Sequence, residues 1–212
     1  MIYGPDEFQR DVSVSRETRK ALETHLNLLR TWSGRMNLVG PGQLDDYWRR
    51  HALDSAQLLA LAPDARLWLD LGSGAGFPGF VVACGLIGVS GARVDLVEAN
   101  QKKAAFLRMA VLETGAPARV LPVRAERLAE TRDKTGESYD IVTARAFAPL
   151  PLILTAAAPW LEAGAGGLFL KGEGVEAELA EAGKAWAMRT RTLPSLSDPR
   201  GRIVRVDGVQ RA

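Results

Sequence analysis

The sequence predicts an α/β fold: a mostly parallel, seven-stranded sheet behind an N-terminal helical extension. Three observations predict it. From Arg66 onward, short apolar runs alternate with helical stretches, as in a parallel sheet with helices on both faces. The last two apolar runs, 188–193 and 202–206, are joined by the turn-rich link Pro194 to Gly201. That link has no room for a helix, so the two strands must pair antiparallel. Before Arg66 the apolar residues instead recur every three or four positions. With 212 residues, 47% of them hydrophobic, the chain can bury one sizeable core. We divide it into an extension, 1–64, and a sheet domain, 65–212.

The extension comes first. Ser15 is placed to cap a helix, with Thr18 where a capping box would carry Glu or Gln. Ala21, Leu22, Leu26, Leu29 and Trp32 then fall on one helical face. Residues 44–50 and 52–61 read as two more helices, ending before Pro63 and Asp64. Strands follow near 67–71, 93–97, 118–123, 139–144 and 167–171. The clearest intervening helix is 102–114, with Ala105, Phe106, Met109 and Leu112 on its apolar side.

The first strand runs into Asp70-Leu-Gly72-Ser-Gly74-Ala-Gly76-Phe77-Pro78-Gly79. Glycines at 72, 74 and 76 let the backbone bend sharply and let a bulky ligand lie against it. Pro78 suits the first turn of the next helix, where its missing N–H costs nothing. A phosphate-cradling loop would need Lys followed by Ser or Thr, and neither is present. A dinucleotide frame fits on Gly74, Gly76 and Gly79 but starts two residues late. The frame that starts at the strand end, Asp70 to Gly76, resembles motif I of the S-adenosylmethionine-dependent methyltransferases. The second strand ends at Glu98, whose carboxylate can accept hydrogen bonds from both ribose hydroxyls of an adenosyl group. Either nucleoside ligand would use it. An antiparallel last strand belongs to the class I methyltransferase architecture, and a dinucleotide-binding sheet would end in a parallel one.

Composition narrows the chemistry. The net charge of +2 does not advertise a global grip on nucleic acid. Residues 184–212, however, carry Lys184, Arg189, Arg191, Arg200, Arg202, Arg205 and Arg211 against Asp198 and Asp207. Such a basic tail suits a polyanion or, equally, a solvated strand pair. Cys84 is the sole cysteine, and His25 and His51 are the only histidines, so no disulfide framework or transition-metal site is expected. No basic stretch leads into an apolar signal core and no apolar run has membrane-spanning length, so the expected location is the cytoplasm.

Four segments carry a closer likeness: Met36-Asn-Leu-Val39 with Arg50-His-Ala-Leu-Asp-Ser55, Asp70 to Gly79, Ala125-Glu126, and Ala144-Arg-Ala-Phe-Ala-Pro149. Through them the chain resembles the ribosomal RNA small-subunit methyltransferase G family, also called glucose-inhibited division protein B, over about residues 20–206. The resemblance implies transfer of a methyl group from S-adenosylmethionine to N7 of a guanine in 16S rRNA, leaving S-adenosylhomocysteine. The partner would be 16S rRNA or a small-subunit particle, met by a monomer with no membrane role. It also implies that Gly72, Phe77, Ala125, Glu126 and Arg145 contact the donor, beside Gly74 and Gly76 of the bend. Glu98 matches by its place at the strand tip.

Several residues keep two readings. Glu126 can frame the adenine edge and also favour a helix start. Arg145, the one catalytic candidate, sits beside the place of methyl transfer or forms a structural ion pair. Phe147 and Pro149 stack on a purine or pack in the core. Lys171 reads as a solvated lysine, with a phosphate contact as the alternative. Arg49, Arg50 and the tail are candidate RNA contacts. His51 and Ser55 lie one helical turn apart, but no nucleophile elbow accompanies them. With Asp54 they are expected to fasten the extension near the acceptor opening. Guanine N7 has a lone pair and no proton, so no general base is required. Arg145-Ala-Phe-Ala148 also departs from the Asn/Asp-Pro-Pro-aromatic motif of exocyclic adenine-amine methylation. Cys84 is misplaced for the covalent route to cytosine C5. A small-molecule methyltransferase, an NAD(P)-dependent oxidoreductase and a non-catalytic RNA-binding module remain the alternatives.

Overall fold

The structure is a computed structural model that describes residues 3–34, 36, 38–40, 42–135 and 137–212, with the backbone alone over 131–135. It opens with a short helix the apolar pattern does not announce, α1 (Pro5–Val12), entered through Pro5 and a Glu7 carboxylate that accepts the Gly4 N–H at 3.0 Å. Helix α2 (Arg16–Ser33) starts as expected, with the Ser15 hydroxyl accepting the Thr18 N–H at 3.1 Å. The two helices expected over 44–61 are one run. A π-helical segment, Tyr47–Leu53, passes directly into α3 (Asp54–Leu61). The turn is widened here without a break between the two stretches.

Strands and helices then alternate: β1 (Leu67–Leu71), α4 (Gly79–Gly85), β2 (Arg93–Val97), α5 (Gln101–Thr114), β3 (Ala118–Leu121), α6 (Ala125–Thr135), β4 (Ile141–Arg145), α7 (Leu150–Leu161), β5 (Gly166–Lys171) and α8 (Val175–Ala182). The hairpin β6 (Trp186–Pro194) and β7 (Arg202–Arg211) ends the chain. Pro78 stands just before α4 as its N-cap, not within its first turn. The sheet order is β3-β2-β1-β4-β5-β7-β6, with β7 antiparallel to both neighbours and the other pairings parallel. Chain order reverses between β1 and β4, so a crevice opens at the carboxyl ends of those strands. Central β1 is buried on both faces, and Asp70 pairs in register with Leu96 and Thr143.

The core has two layers. On one face, Phe8, Leu22, Leu29 and Tyr47 from the extension share a cluster with Phe80, Phe106 and Leu107 of α4 and α5. On the other, α7 and α8 cover Leu69, Val142, Phe169 and Val206. Helix α5 corrects one expectation: it buries Ala104, Phe106, Leu107 and Ala110, while Met109 is exposed and Leu112 is 75% exposed. Two apolar stripes were available on this helix. The one with the small Ala104 and Ala110 lets it approach its neighbours closely, and Phe106 meets Trp32 edge-on.

Candidate functional site

The bend after β1 holds Gly72, Gly74 and Gly76 at φ of +71°, +57° and +102°. Their surroundings differ. A Cβ on Gly72 would collide with the Phe147 ring, and one on Gly76 would lie 2.9 Å from Phe80 Cβ and 3.2 Å from His25 Nε2. One on Gly74 would meet nothing nearer than the Gly72 carbonyl at 3.8 Å. Gly72 and Gly76 are thus glycine partly because protein packs on them. Gly74 opens into a cavity of about 760 Å³.

That cavity lies at the carboxyl ends of β1, β2 and β4. Of the residues singled out from sequence, His51, Gly72, Gly74, Phe77, Glu98, Ala125, Glu126, Arg145 and Phe147 line it. Gly76 does not: it shapes the bend from behind, against His25 and Phe80. Glu98 is 9% exposed; its Oε2 accepts the Gly74 N–H at 2.9 Å and its Oε1 the Asn100 N–H at 2.7 Å. The carboxylate therefore clamps the bend to the tip of β2, and each oxygen keeps a lone pair for a further donor. Ala125 is buried at the start of α6, and Glu126 stands exposed in its first turn, where an acid is favoured.

Arg145 ends β4 and turns toward the extension. Its Nη1 donates to Asp54 Oδ2 at 3.1 Å and to the Arg50 carbonyl at 3.2 Å, and its Nη2 lies 2.9 Å from His51 Nδ1. The guanidinium also sits 4.8 Å above the Phe77 ring, on which His51 stacks at 4.5 Å and 16°. The ion-pair reading of Arg145 is the geometry found. A guanidinium only donates, so His51 Nδ1 accepts and the ring proton belongs on Nε2. Burial, reinforced by the neighbouring Arg145 charge, pushes His51 down to about 3, so the ring is neutral. The Ser55 hydroxyl donates to the His51 carbonyl at 2.7 Å, not to its ring, so no hydrolase pairing forms.

Three groups carry roles that the sequence did not assign. His25 is fully buried, with Nε2 donating to the Ala75 carbonyl at 2.9 Å and Nδ1 3.1 Å from the Tyr47 hydroxyl, so it ties α2 to the glycine bend. Burial pushes it down to about 4. A histidine inside the apolar stripe of Leu22, Leu26 and Leu29 was the available signal. Asp70 is also fully buried: Oδ1 accepts the Thr143 hydroxyl at 2.7 Å, Oδ2 has no partner among the described residues, and burial pushes the carboxyl up. The third group is Gln57 with Ser195 and Ser197: the Ser195 hydroxyl takes the Gln57 amide at 3.0 Å and lies 2.9 Å from that of Ser197.

Other expectations need correcting. Lys171 is not solvated; it pairs with Glu178 at 2.7 Å and donates to the Ala148 carbonyl at 3.1 Å. Much of the basic tail is engaged. Arg205 contacts Asp207 and the Leu61 carbonyl, both at 2.6 Å, and Arg202 donates to the Pro199 and Gly201 carbonyls at 2.8 Å. Phe147 lies against Gly72 and also lines the cavity, whereas exposed Pro149 precedes α7 as its N-cap and does not. Cys84 is buried within α4, and that burial pushes its thiol up. Asn37 of the Met36 to Val39 segment lies outside the described residues. Among the described residues no cluster of His, Cys, Asp and Glu has metal-binding size, and no helix is long and apolar enough to cross a membrane.

Solved structures share this architecture. An O-methyltransferase from Bacillus cereus in complex with SAH superposes with a TM-score of 0.64 at 18% identity, over 95% of this chain and 96% of that one. The O-methyltransferase TomG from Streptomyces achromogenes in complex with SAM gives 0.59 at 16% identity, over 89% and 90%. The fold is that of the class I S-adenosylmethionine-dependent methyltransferases, and the dinucleotide-sheet alternative is set aside. The family described as rRNA small subunit methyltransferase G matches residues 18–202. Proteins of that name from Rhodospirillum rubrum and Rhodopseudomonas palustris (strain BisB5) are 51% and 45% identical to this chain. The first match covers 98% of this chain and 99% of the relative, and the second 99% and 91%. The chain belongs to the rRNA small subunit methyltransferase G family.

Proposed function

We propose that this protein transfers a methyl group from S-adenosylmethionine to N7 of a guanine in 16S rRNA. The observation that carries the proposal is the open face of Gly74, which gives onto a cavity walled by Glu98 and by Ala125-Glu126, in a chain of this family. The bend fits an adenosyl donor because a single Cβ at Gly74 would enter the space the donor needs. The donor, when bound, supplies an electrophilic methyl on a sulfonium.

In this reading Glu98 accepts the ribose hydroxyls with the lone pairs left free by the Gly74 and Asn100 amides. Ala125, being small and buried, leaves room for the adenine, and Glu126 borders its edge. Phe77 gives an apolar wall, held by the stacked His51 and by Arg145. Arg145 acts as a positioning residue, because its Nη donors already serve Asp54, Arg50 and His51. The acceptor nitrogen has no proton to lose, so the protein's task is orientation. Holding two reactants at near-attack distance can be worth about 7–11 kcal/mol. The one accepting nitrogen of neutral His51 is taken by Arg145, which agrees with chemistry that needs no base.

The test is direct. Purified protein, labelled S-adenosylmethionine and small ribosomal subunits lacking the modification should yield 7-methylguanosine at one position of 16S rRNA, located by nucleoside mass mapping. Label in another nucleoside would overturn the N7 assignment. Label only in a small molecule would overturn the RNA assignment.

A further inference from the structure

A second cavity, of about 1060 Å³, lies across Arg145 from the first and shares Gln43, His51, Arg145 and Ala146 with it. One wall is the π-helical segment, bearing Arg49 and Arg50. The link between β6 and β7, residues 195–201, adds Ser197 to Gly201 to the lining, with Arg200 among them. Most charges here are matched: Arg145 by Asp54 at 3.1 Å and Lys171 by Glu178 at 2.7 Å. Arg50 makes no side-chain hydrogen bond or ion pair among the described residues. Arg200, with 70% of its side chain exposed, has only the loose partners Asp198 at 3.6 Å and Glu173 at 3.8 Å.

The link is held by a buried amide. Gln57 of α3 is 4% exposed and uses both ends of its side chain on the link. Its Oε1 accepts the Leu196 N–H at 2.9 Å, and its Nε2 donates to the Ser195 hydroxyl at 3.0 Å. Asp54 Oδ1, one turn earlier, accepts the hydroxyls of Ser195 at 3.0 Å and Ser197 at 2.7 Å. Arg49 Nε donates to the Ser197 carbonyl at 3.0 Å. One helical run of the extension thus fixes a loop about 140 residues later. Arg200, at its tip, is held only loosely by Asp198 and Glu173 beside a cleft that joins the donor cavity. Burying a glutamine is costly unless its amide is satisfied, and here its partners in the link satisfy both ends.

We infer that residues 195–201 form the acceptor-side recognition loop of this protein, that single-stranded RNA enters the cleft lined by Arg50 and the loop's Arg200, and that Gln57 is the residue positioning that loop. The inference rests on the proposed RNA methylation. Arg50 and Arg200 neutralise backbone phosphates of the strand, and Gln57 holds the loop that carries Arg200 without touching substrate or donor.

The experiment compares the wild-type protein with Gln57→Leu, with Ser195→Ala/Ser197→Ala and with Arg200→Gln. It measures methyl transfer to small ribosomal subunits lacking the modification, and S-adenosylhomocysteine binding by calorimetry. For all three variants KM for the particle should rise about tenfold, with kcat and S-adenosylhomocysteine affinity within about twofold of wild type. Arg200→Gln should also lower the salt dependence of particle binding. Faster amide exchange over 195–201 in the first two variants, with KM unchanged, would overturn the inference while leaving the methylation intact. Equal losses of kcat and donor affinity would mean that Gln57 only supports the fold, and would overturn it too. If the wild-type protein methylates no small-subunit RNA, the reading beneath it has failed and the inference goes with it.

Discussion

Gly74 and Gly72 stand two residues apart in one bend, yet their substitution should fail differently. A side chain on Gly72 meets the Phe147 ring, whereas one on Gly74 enters the cavity. Gly74→Val should lower S-adenosylhomocysteine affinity by at least about a hundredfold. It should lower stability only by the cost of a left-handed branched residue, about 1–2 kcal/mol. Calorimetry and thermal melting separate the two, and undiminished affinity would remove the bend as the donor site. The buried histidines make a second prediction at this scale. Burial pushes His25 down to about 4 and His51 to about 3, while both titrate near 6.5 in the unfolded chain. Between those values the unfolded state binds protons that the folded state refuses. Stability is therefore complete above pH 6.5 and falls as pH drops toward 4, by up to about 1.4 kcal/mol per pH unit for each histidine. Asp70, whose carboxyl is pushed up, acts in the opposite sense, so a variant must isolate the histidine contribution. In urea titrations at about pH 7.5 and pH 5, His25→Gln should be weaker than wild type at the higher pH but lose less on acidification. Equal losses in both proteins would contradict a neutral His25.

Elements were legible where their signal is local. Strands β1 and β2 fall where an apolar run meets a glycine bend or an acidic tip, and the Ser15 cap behaves as its side chain dictates. The π-helical segment was not legible, because over seven residues a five-residue hydrogen-bond step and the usual four-residue step leave the same apolar pattern. The exposed flank of α5 was misread because alanines carry little weight in a periodicity count although they decide how closely helices approach. The partners of Arg145 were hidden for another reason. Asp54 lies 91 residues away, and only the packing of the extension on the sheet brings them to 3.1 Å. That pair has side chains 18% and 16% exposed, so removing one partner strands a largely buried charge. Asp54→Ala should cost about 3 kcal/mol of stability, and Asp54→Ala/Arg145→Met should recover much of the loss. Denaturant melts of both variants decide it. A double variant less stable than Asp54→Ala would mean that Arg145 contributes chiefly through Phe77 and the Arg50 carbonyl.

At the scale of the whole molecule, the crevice between β1 and β4 and the extension's place on α4 and α5 bring two cavities to one rim. The crevice followed from strand order alone, whereas the second cavity needed contacts between the two ends of the chain. What stands at the rim has a kinetic consequence. His51 already carries its proton on Nε2 and stays neutral down to about 3. Cys84 is sealed inside α4, and Asp70 lies beneath the bend with Thr143 on one oxygen. On the proposed reading, a sulfonium donor and a guanine N7 acceptor bring no titrating proton between them. Methyl transfer to saturating small-subunit particles should therefore show a single-turnover rate that is flat from about pH 6 to pH 9, and a unit slope within that range would require a general base. Flatness must hold in the chemical step. RNA binding carries its own pH dependence, so kcat/KM can bend with pH while the single-turnover rate does not. A rate that climbed tenfold per pH unit under saturation would point to proton removal from an exocyclic amine, and would move the methyl group off N7.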